Sequence, residues 1–89
     1  MSESPAHRLK RMDLRARRRG TKEMDLVLGN FAAAKLAEMD EAALDHFDRF
    51  LEEGDNDLWS WITGQVSGPA EYADLVEKIR QHAGLGKIA

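Results

Sequence analysis

The residue types that offer chemistry in this sequence are concentrated around residue 20. Three arginines, Arg17 to Arg19, come before Gly20, and the carboxylates of Glu23 and Asp25 follow it closely. Guanidinium and carboxylate groups make charge-assisted hydrogen bonds to charged partners. The glycine predicts a bend, because it adopts a positive φ without a Cβ penalty. The run therefore predicts an exposed charged corner that binds another protein.

Metal binding and catalysis find little support in the residue pattern. The three histidines are scattered, and the sequence has no cysteine to supply a thiolate. Residues 55–57 resemble the opening of a calcium loop, but Ser60 stands where that loop requires glycine and Val66 where it requires glutamate. No serine or threonine has a context that indicates an activated nucleophile. We therefore predict no metal site and no enzyme activity.

Charge is distributed unevenly along the chain. Residues 1–23 hold 8 basic and 3 acidic residues, a charge of +5, whereas the remaining residues hold 5 basic and 13 acidic ones, a charge of -8. A basic arm on an acidic body favours an oriented encounter with a charged partner. The arginine run is also compatible with a nucleic-acid-binding protein, our alternative reading. The acidic body and the absence of aromatic residues among the arginines argue against it.

The compartment is indicated only indirectly. The lack of cysteine fits a reducing compartment, and no stretch approaches the ~20 apolar residues of a membrane span. An arginine-rich, acid-poor N-terminus is also typical of a mitochondrial transit peptide. The helical apolar pattern, however, begins at Leu9 and runs on without a removable segment.

Apolar spacing predicts five short helices in one compact all-α bundle. The predicted domain covers residues 7–83, between flexible tails at 1–6 and 84–89. No segment alternates with period two. The predicted boundaries are a first helix from His7 to Arg18 ended by Gly20, a second from Met24 to Ala37, a third capped by Asp40 and stopped at Gly54, a fourth capped by Asp55, and a fifth that starts at Pro69 and ends at Gly84 and Gly86.

Three positions in these helices carry further expectations. Gly29 costs about 1 kcal/mol relative to alanine in a helix, which indicates close helix packing there. Trp59 and Trp61 lie about 200° apart on an ideal helix, so an exposed edge on one of them would serve as a docking anchor. If Gly20 caps the second helix, Glu23 stands at its third position and closes a capping box.

Two blocks of sequence carry a resemblance to a known family. The first is Arg19-Gly20-Thr21-Lys22-Glu23 with the segment 24–31 that follows it, and the second is residues 50–62, which contain Asp55-Asn56-Asp57-Leu58-Trp59-Ser60-Trp61. Together they resemble the Arg-Gly-x-x-Glu and Asp-x-Asp-Leu-aromatic-x-Trp motifs of the SdhE-type succinate dehydrogenase assembly factors, or flavinators. The resemblance covers residues 7–83. Thr21 departs from the apolar residue of many members, which is expected to loosen the turn.

The resemblance implies a five-helix binding chaperone, not an enzyme, that promotes covalent attachment of FAD to a histidine in a client. The client would be the flavoprotein subunit of succinate dehydrogenase, with fumarate reductase as a second candidate, in a bacterial cytoplasm rather than a mitochondrial matrix. Arg19, Gly20 and Glu23 would form the core of the client surface, with Arg19 and Glu23 hydrogen-bonded to the client. Flanking positions would be Arg17, Arg18 and Asp25, with Trp59 as an anchor. With no nucleotide-binding pattern, no tight FAD site is expected.

Overall fold

The computed structural model describes residues 3–85, which form an all-α bundle without a strand in that range. This confirms the predicted fold class and the number of helices. Two short 3-10 segments, Leu36–Glu38 and Ala70–Tyr72, adjoin the second and fifth helices. The five helices are α1 (Pro5–Arg17), α2 (Lys22–Lys35), α3 (Glu41–Phe50), α4 (Asp55–Thr63) and α5 (Ala73–His82).

The N-terminal boundary lies earlier than the apolar pattern predicts. The hydroxyl of Ser4 accepts a hydrogen bond from the His7 N–H (3.2 Å), and Pro5 occupies the first helical position. Both features are typical of a helix N-terminus. Residues 5 and 6 of the predicted tail are therefore helical. Residues 1 and 2, and residues 86–89 of the predicted C-terminal tail, lie outside the described residues.

Of the predicted starts of the last three helices, one is confirmed and two are wrong. Asp40 caps α3, since its carboxylate accepts from the Ala43 N–H at 2.8 Å. In α4 the cap is Gly54 and Asp55 is the first helical residue, which leaves the Asp55 carboxylate available for another partner. Pro69 precedes the 3-10 segment instead of opening α5, which begins at Ala73.

The C-terminus of α5 ends as predicted, at a glycine. Gly84 has φ +77°, and the N–H of Leu85 donates to the carbonyl of Arg80 at 2.9 Å. This is the Schellman arrangement, which satisfies the last helical carbonyls. The buried Arg80 side chain in turn donates to the carbonyl of Ile62, so that the end of α4 is joined to α5.

Every helix contributes apolar side chains to a single core. Its centre is aromatic: the rings of Phe31 and Phe47 meet edge to face with centroids 5.6 Å apart, and Phe50 meets Tyr72 in the same way at 5.2 Å. Burying each such side chain contributes roughly 1.5–3 kcal/mol. The fully buried large side chains are Phe31, Phe47, Phe50, Met12, Met24, Leu28, Leu51, Leu58, Ile62 and Ile79.

Gly29 allows α2 to approach α1 closely. A Cβ at this position would lie 2.7 Å from Cγ of Arg17 and 3.5 Å from its Cα. The close packing predicted for this glycine is confirmed. The contact sets the distance between the two helices just before the turn that joins them.

Gly68 plays a similar role below an aromatic ring. A Cβ there would lie 2.9 Å from two ring carbons of Trp61. The Trp61 ring also stacks on Tyr72, with centroids 6.0 Å apart. The loop between α4 and α5 can therefore follow its path only if residue 68 has no side chain.

We expect Gly68→Ala to destabilise the protein by about 1–3 kcal/mol, because the added methyl group overpacks the Trp61 ring. The matched control is Gly54→Ala, where no atom lies within 4 Å of the new Cβ. Its effect should stay within about 0.5 kcal/mol, since lost backbone freedom in the unfolded chain opposes a poorer cap. Urea unfolding of both variants measures the difference, and equal losses would contradict this account of Gly68.

Ion pairs join α1 to α3. Arg8 pairs with Asp45, and Arg11 pairs with Asp48 at 2.7 Å and with Glu3 at 2.8 Å. The hydrogen bonds from Arg11 hold the pKa of the Asp48 carboxyl below its ordinary value of 3.8. Much of the basic arm is thus neutralised by carboxylates of the same chain.

Because the pKa of Asp48 is lowered in the folded protein, the free energy of unfolding depends on pH in the acidic range. The native state binds fewer protons than the unfolded chain, so this stabilisation is complete above the ordinary pKa and is lost as the pH falls below about 4. We expect Asp48→Asn to flatten the decline of the unfolding free energy between about pH 5 and pH 2. Glu38→Gln, at an exposed side chain of the same charge, is the control. An unchanged pH profile in Asp48→Asn would contradict the assignment.

Candidate partner-binding site

The site begins with the turn between α1 and α2, which we call the corner (residues 17–25). α1 ends at Arg17, and Gly20 has φ +113°, a conformation that L side chains rarely adopt. Thr21 caps α2, since its hydroxyl accepts from the Met24 N–H at 3.2 Å. The prediction that Gly20 caps α2 is therefore wrong, and Glu23 stands at the second helical position instead of the third. Thr21 holds the turn together where we expected it to loosen it.

Asp25 fastens the backbone of the corner. Its Oδ1 accepts hydrogen bonds from the backbone N–H of Arg19 (2.5 Å) and of Gly20 (3.4 Å). Backbone N–H groups in a turn outside both helices otherwise lack a partner. The carboxylate predicted to flank the partner surface is thus engaged within the protein.

The side chain of Arg19 reaches across to the connection between α3 and α4. Its Nε donates to Oδ1 of Asp55 at 2.8 Å, and its terminal nitrogens donate to the carbonyls of Leu51 (2.8 Å) and Glu53 (2.9 Å). Only 8% of the side chain is exposed. Arg19 is therefore an exception to the predicted exposed charged corner, because its guanidinium is buried against a partner from a distant segment. We call this set of bonds the Arg19 clamp.

The clamp brings the two sequence blocks into contact. A Cβ on Gly20 would lie 3.7 Å from Oδ2 of Asp55, so the bare backbone of the turn faces the first residue of α4. A carboxylate at that position also interacts favourably with the positive end of the helix. Sequence reasoning treated Asp55 as a cap and missed its role here, although it belongs to the second block of the resemblance.

Most residues of the corner are exposed, Lys22 and several of the candidate site residues among them. Gly20, Glu23 and Arg18 are exposed, and neither charged side chain makes an ion pair within residues 3–85. Arg17 is partly engaged, with Asp13 at 2.7 Å. The corner therefore offers an acceptor carboxylate, a cation and an uncovered stretch of backbone on one rigid surface.

Trp59 lies four residues after Asp55 on α4, so both project from the same side of the helix. Its side chain is partly buried and packs against the core. It supports the segment to which Arg19 is clamped, and its role as an anchor stays a prediction.

A cavity of about 830 Å³ lies away from the corner. It is an open cleft lined by Phe31, Met39, His46, Leu75 and His82, among others, and no residue of the corner borders it. Within the described part of the chain, histidine and carboxylate side chains form no cluster suited to a metal ion. None of the helices in residues 3–85 has both the length and the apolar character to cross a membrane.

Comparison with known proteins assigns the family. The family model described as flavinator of succinate dehydrogenase matches residues 10–83. The chain therefore belongs to this family of assembly factors, as the resemblance predicted. The comparisons give no support to the alternative of a nucleic-acid-binding protein.

Relatives in bacteria and eukaryotes carry related names. The FAD assembly factor SdhE of Legionella pneumophila is 36% identical over 63 residues, which are 71% of this chain and 80% of that protein. The mitochondrial succinate dehydrogenase assembly factor 2 of Mycosarcoma maydis is 40% identical over 72 residues, 81% of this chain and 30% of its relative. The Dictyostelium discoideum protein of that name is 32% identical over 73 residues, 82% of this chain and 52% of its relative. The chain thus spans about a third to a half of these mitochondrial proteins.

A double-mutant cycle tests the Arg19 clamp. We expect Arg19→Ala to lower the unfolding free energy by about 2–4 kcal/mol, because two carbonyls and a carboxylate lose a charged donor. Asp55→Ala should cost less, and the double variant should cost less than the two single variants added together, by about 1 kcal/mol. Arg18→Ala, at the exposed neighbour, is the control and should be neutral. Strict additivity of the two variants would contradict the clamp.

Proposed function

We propose that this protein binds the flavoprotein subunit of succinate dehydrogenase and promotes the covalent attachment of FAD to it. Family membership supports the class of function, and the names of the relatives point to the same process. The structural observation that carries the proposal is an exposed Glu23, which has no ion pair within residues 3–85, next to the bare backbone of Gly20. The Arg19 clamp holds both in a fixed position.

The proposed mechanism is conformational. Covalent attachment requires a nucleophilic side chain of the client to be aligned with the reacting carbon of the flavin. A partner that binds the aligned conformation more tightly than others raises its population. Since the chemistry belongs to the client and its flavin, we propose that this chain acts as a non-catalytic chaperone.

The hydrogen bonds inside the protein support a revised proposal for the groups that face the client. The Arg19 guanidinium already has three acceptors inside the protein, so the hypothesis that it hydrogen-bonds to the client is revised. We propose Glu23 as the acceptor toward the client, Arg18 as the accessible cation, and Gly20 as the point of close backbone approach. A rigid surface of this kind loses little entropy on binding.

The paired state of the basic arm further favours a protein partner over nucleic acid. Arg8, Arg11 and Arg19 each bind a carboxylate of the chain. Guanidinium groups in such pairs are poorly available to neutralise phosphates. We therefore propose a client that is recognised by few, well-placed contacts.

Three narrower statements belong to the same proposal. We propose fumarate reductase as a second client. We propose a bacterial cytoplasm as the compartment, and the mitochondrial matrix is the alternative because the eukaryotic relatives are named as mitochondrial. We also propose that the protein holds no FAD tightly by itself, because its sequence has no nucleotide-binding motif. A flavin absorbance band in the purified protein would contradict this last statement.

Glu23→Gln tests the proposed function. The chain is co-expressed with a succinate dehydrogenase flavoprotein subunit in a host that lacks its own assembly factor, and covalent flavin is measured by fluorescence in a denaturing gel. We expect the wild-type chain to raise the signal and Glu23→Gln to reduce it roughly tenfold, since a hydrogen bond to a charged group contributes about 1.5–3 kcal/mol.

The control is Glu41→Gln, an exposed carboxylate in the first turn of α3. It should leave the covalent flavin signal at the wild-type level. Thermal unfolding of both variants should match the wild type, since neither side chain is buried. Full flavinylation with folded Glu23→Gln would exclude Glu23 from the client surface, and no stimulation by the wild-type chain would exclude the function itself.

A further inference from the structure

The outer side of α2 is unusually free of charge. Residues 26–34 form nine consecutive positions without a charged side chain, in a sequence in which 33% of residues are charged. By contrast, α1 exposes lysine and arginine side chains. Helical spacing places Leu26, Asn30, Ala33 and Ala34 on one side of α2, and all four are exposed. We call these four residues the α2 face.

Leu26 is the most prominent residue of the α2 face. Its side chain is 52% exposed, which places it among the few large hydrophobic residues exposed in residues 3–85. A surface helix of a monomeric protein normally turns polar or charged residues to solvent. The composition of α2 is therefore typical of a helix whose outer side is covered by another surface, as its inner side is covered by the core.

Two shallow clefts meet on the α2 face. One, of about 390 Å³, extends toward Arg17 and Arg18, and the other, of about 600 Å³, extends toward His82 and Ala83 at the end of α5. Both are lined by Leu26, Asn30 and Ala33. The clefts therefore form one continuous groove that runs along α2 from the corner to α5.

We infer that the α2 face is a second part of the client surface and receives an apolar segment of the flavoprotein subunit, with an acidic group at its end near Arg18. The inference rests on the function proposed above. The groove is continuous with the corner, since Arg18 and Asp25 belong to both. Leu26 lies one helical turn beyond Glu23, a rise of about 4.5 Å. A partner seated on Glu23 therefore reaches Leu26.

The charged residues that line the groove indicate what kind of segment it receives. Three charged residues line the groove: Arg17, which is paired with Asp13, Asp25, which holds the backbone of the corner, and Arg18, which has no ion pair within the described residues. An occupant that matches the groove is consequently apolar along its length and negative at the end near Arg18.

The corner alone offers too small an area for a stable interface. A stable protein complex commonly buries about 800 Å² on each partner, spread over roughly 20–30 residues. The accessible groups of the corner are far fewer than that. An adjoining surface is required, and the α2 face is the uncharged one that continues from it.

Leu26→Glu tests the inference, and Val66→Glu is the matched control. Val66 is 55% exposed and lies between α4 and α5, outside both clefts. Binding to the purified flavoprotein subunit is measured by titration calorimetry, together with covalent flavin in the gel assay. We expect at least a tenfold weaker affinity and less covalent flavin for Leu26→Glu, with Val66→Glu equal to the wild type. Ala33→Arg, which fills the groove from a second position, should repeat the loss.

The outcomes separate the two proposals. Wild-type affinity in folded Leu26→Glu and Ala33→Arg would overturn the role of the α2 face while leaving the proposed function intact. If the wild-type chain itself does not bind the flavoprotein subunit, both proposals fall. Sedimentation of the free chain tests whether a second copy of the chain occupies the α2 face. A wild-type dimer that Leu26→Glu dissociates would assign the face to a second copy and overturn the inference.

Discussion

The Arg19 clamp is the polar interaction on which the geometry of the corner depends. One guanidinium joins the turn between the first two helices to three acceptors on residues 51, 53 and 55. Its planar fork of donors can address several acceptors at once, which a lysine ammonium on a flexible stem does less well. Because the side chain is almost fully buried, water competes little for these bonds. This single side chain therefore joins the corner to the start of α4.

A division of labour between neighbouring residues follows from the clamp. Arg19 and Asp25 make bonds inside the protein, whereas Glu23 and Arg18 point to solvent with no partner in the described chain. Within eight positions, the corner therefore combines side chains that hold its backbone in place with side chains that stay accessible. Next to the corner, the outer side of α2 is uncharged. The charged corner and the apolar groove therefore adjoin and form one continuous surface, charged at one end and apolar at the other.

Features determined by local rules were readable from the sequence. Five helices follow from apolar spacing, the bend at Gly20 from its freedom of φ, and the start of α3 from a capping aspartate. The Thr21 cap also follows from a local rule, since threonine is a preferred cap residue, whereas its departure from the family motif predicted a looser turn. The bonds of Arg19 to Asp55 and the contact of Gly68 with Trp61 were not readable. They join segments whose approach is determined by the packing of the whole core, which periodicity does not encode.

The order in which the chain is synthesised gives the Arg19 clamp a further consequence. The accessible groups of the corner lie within residues 17–25 and are translated before the acceptors that hold the corner in place, which come from residues 51–55. A nascent chain that has exposed only its N-terminal helices thus carries the motif without its supporting contacts. The corner therefore acquires its fixed geometry only after the second half of the domain has emerged from the ribosome.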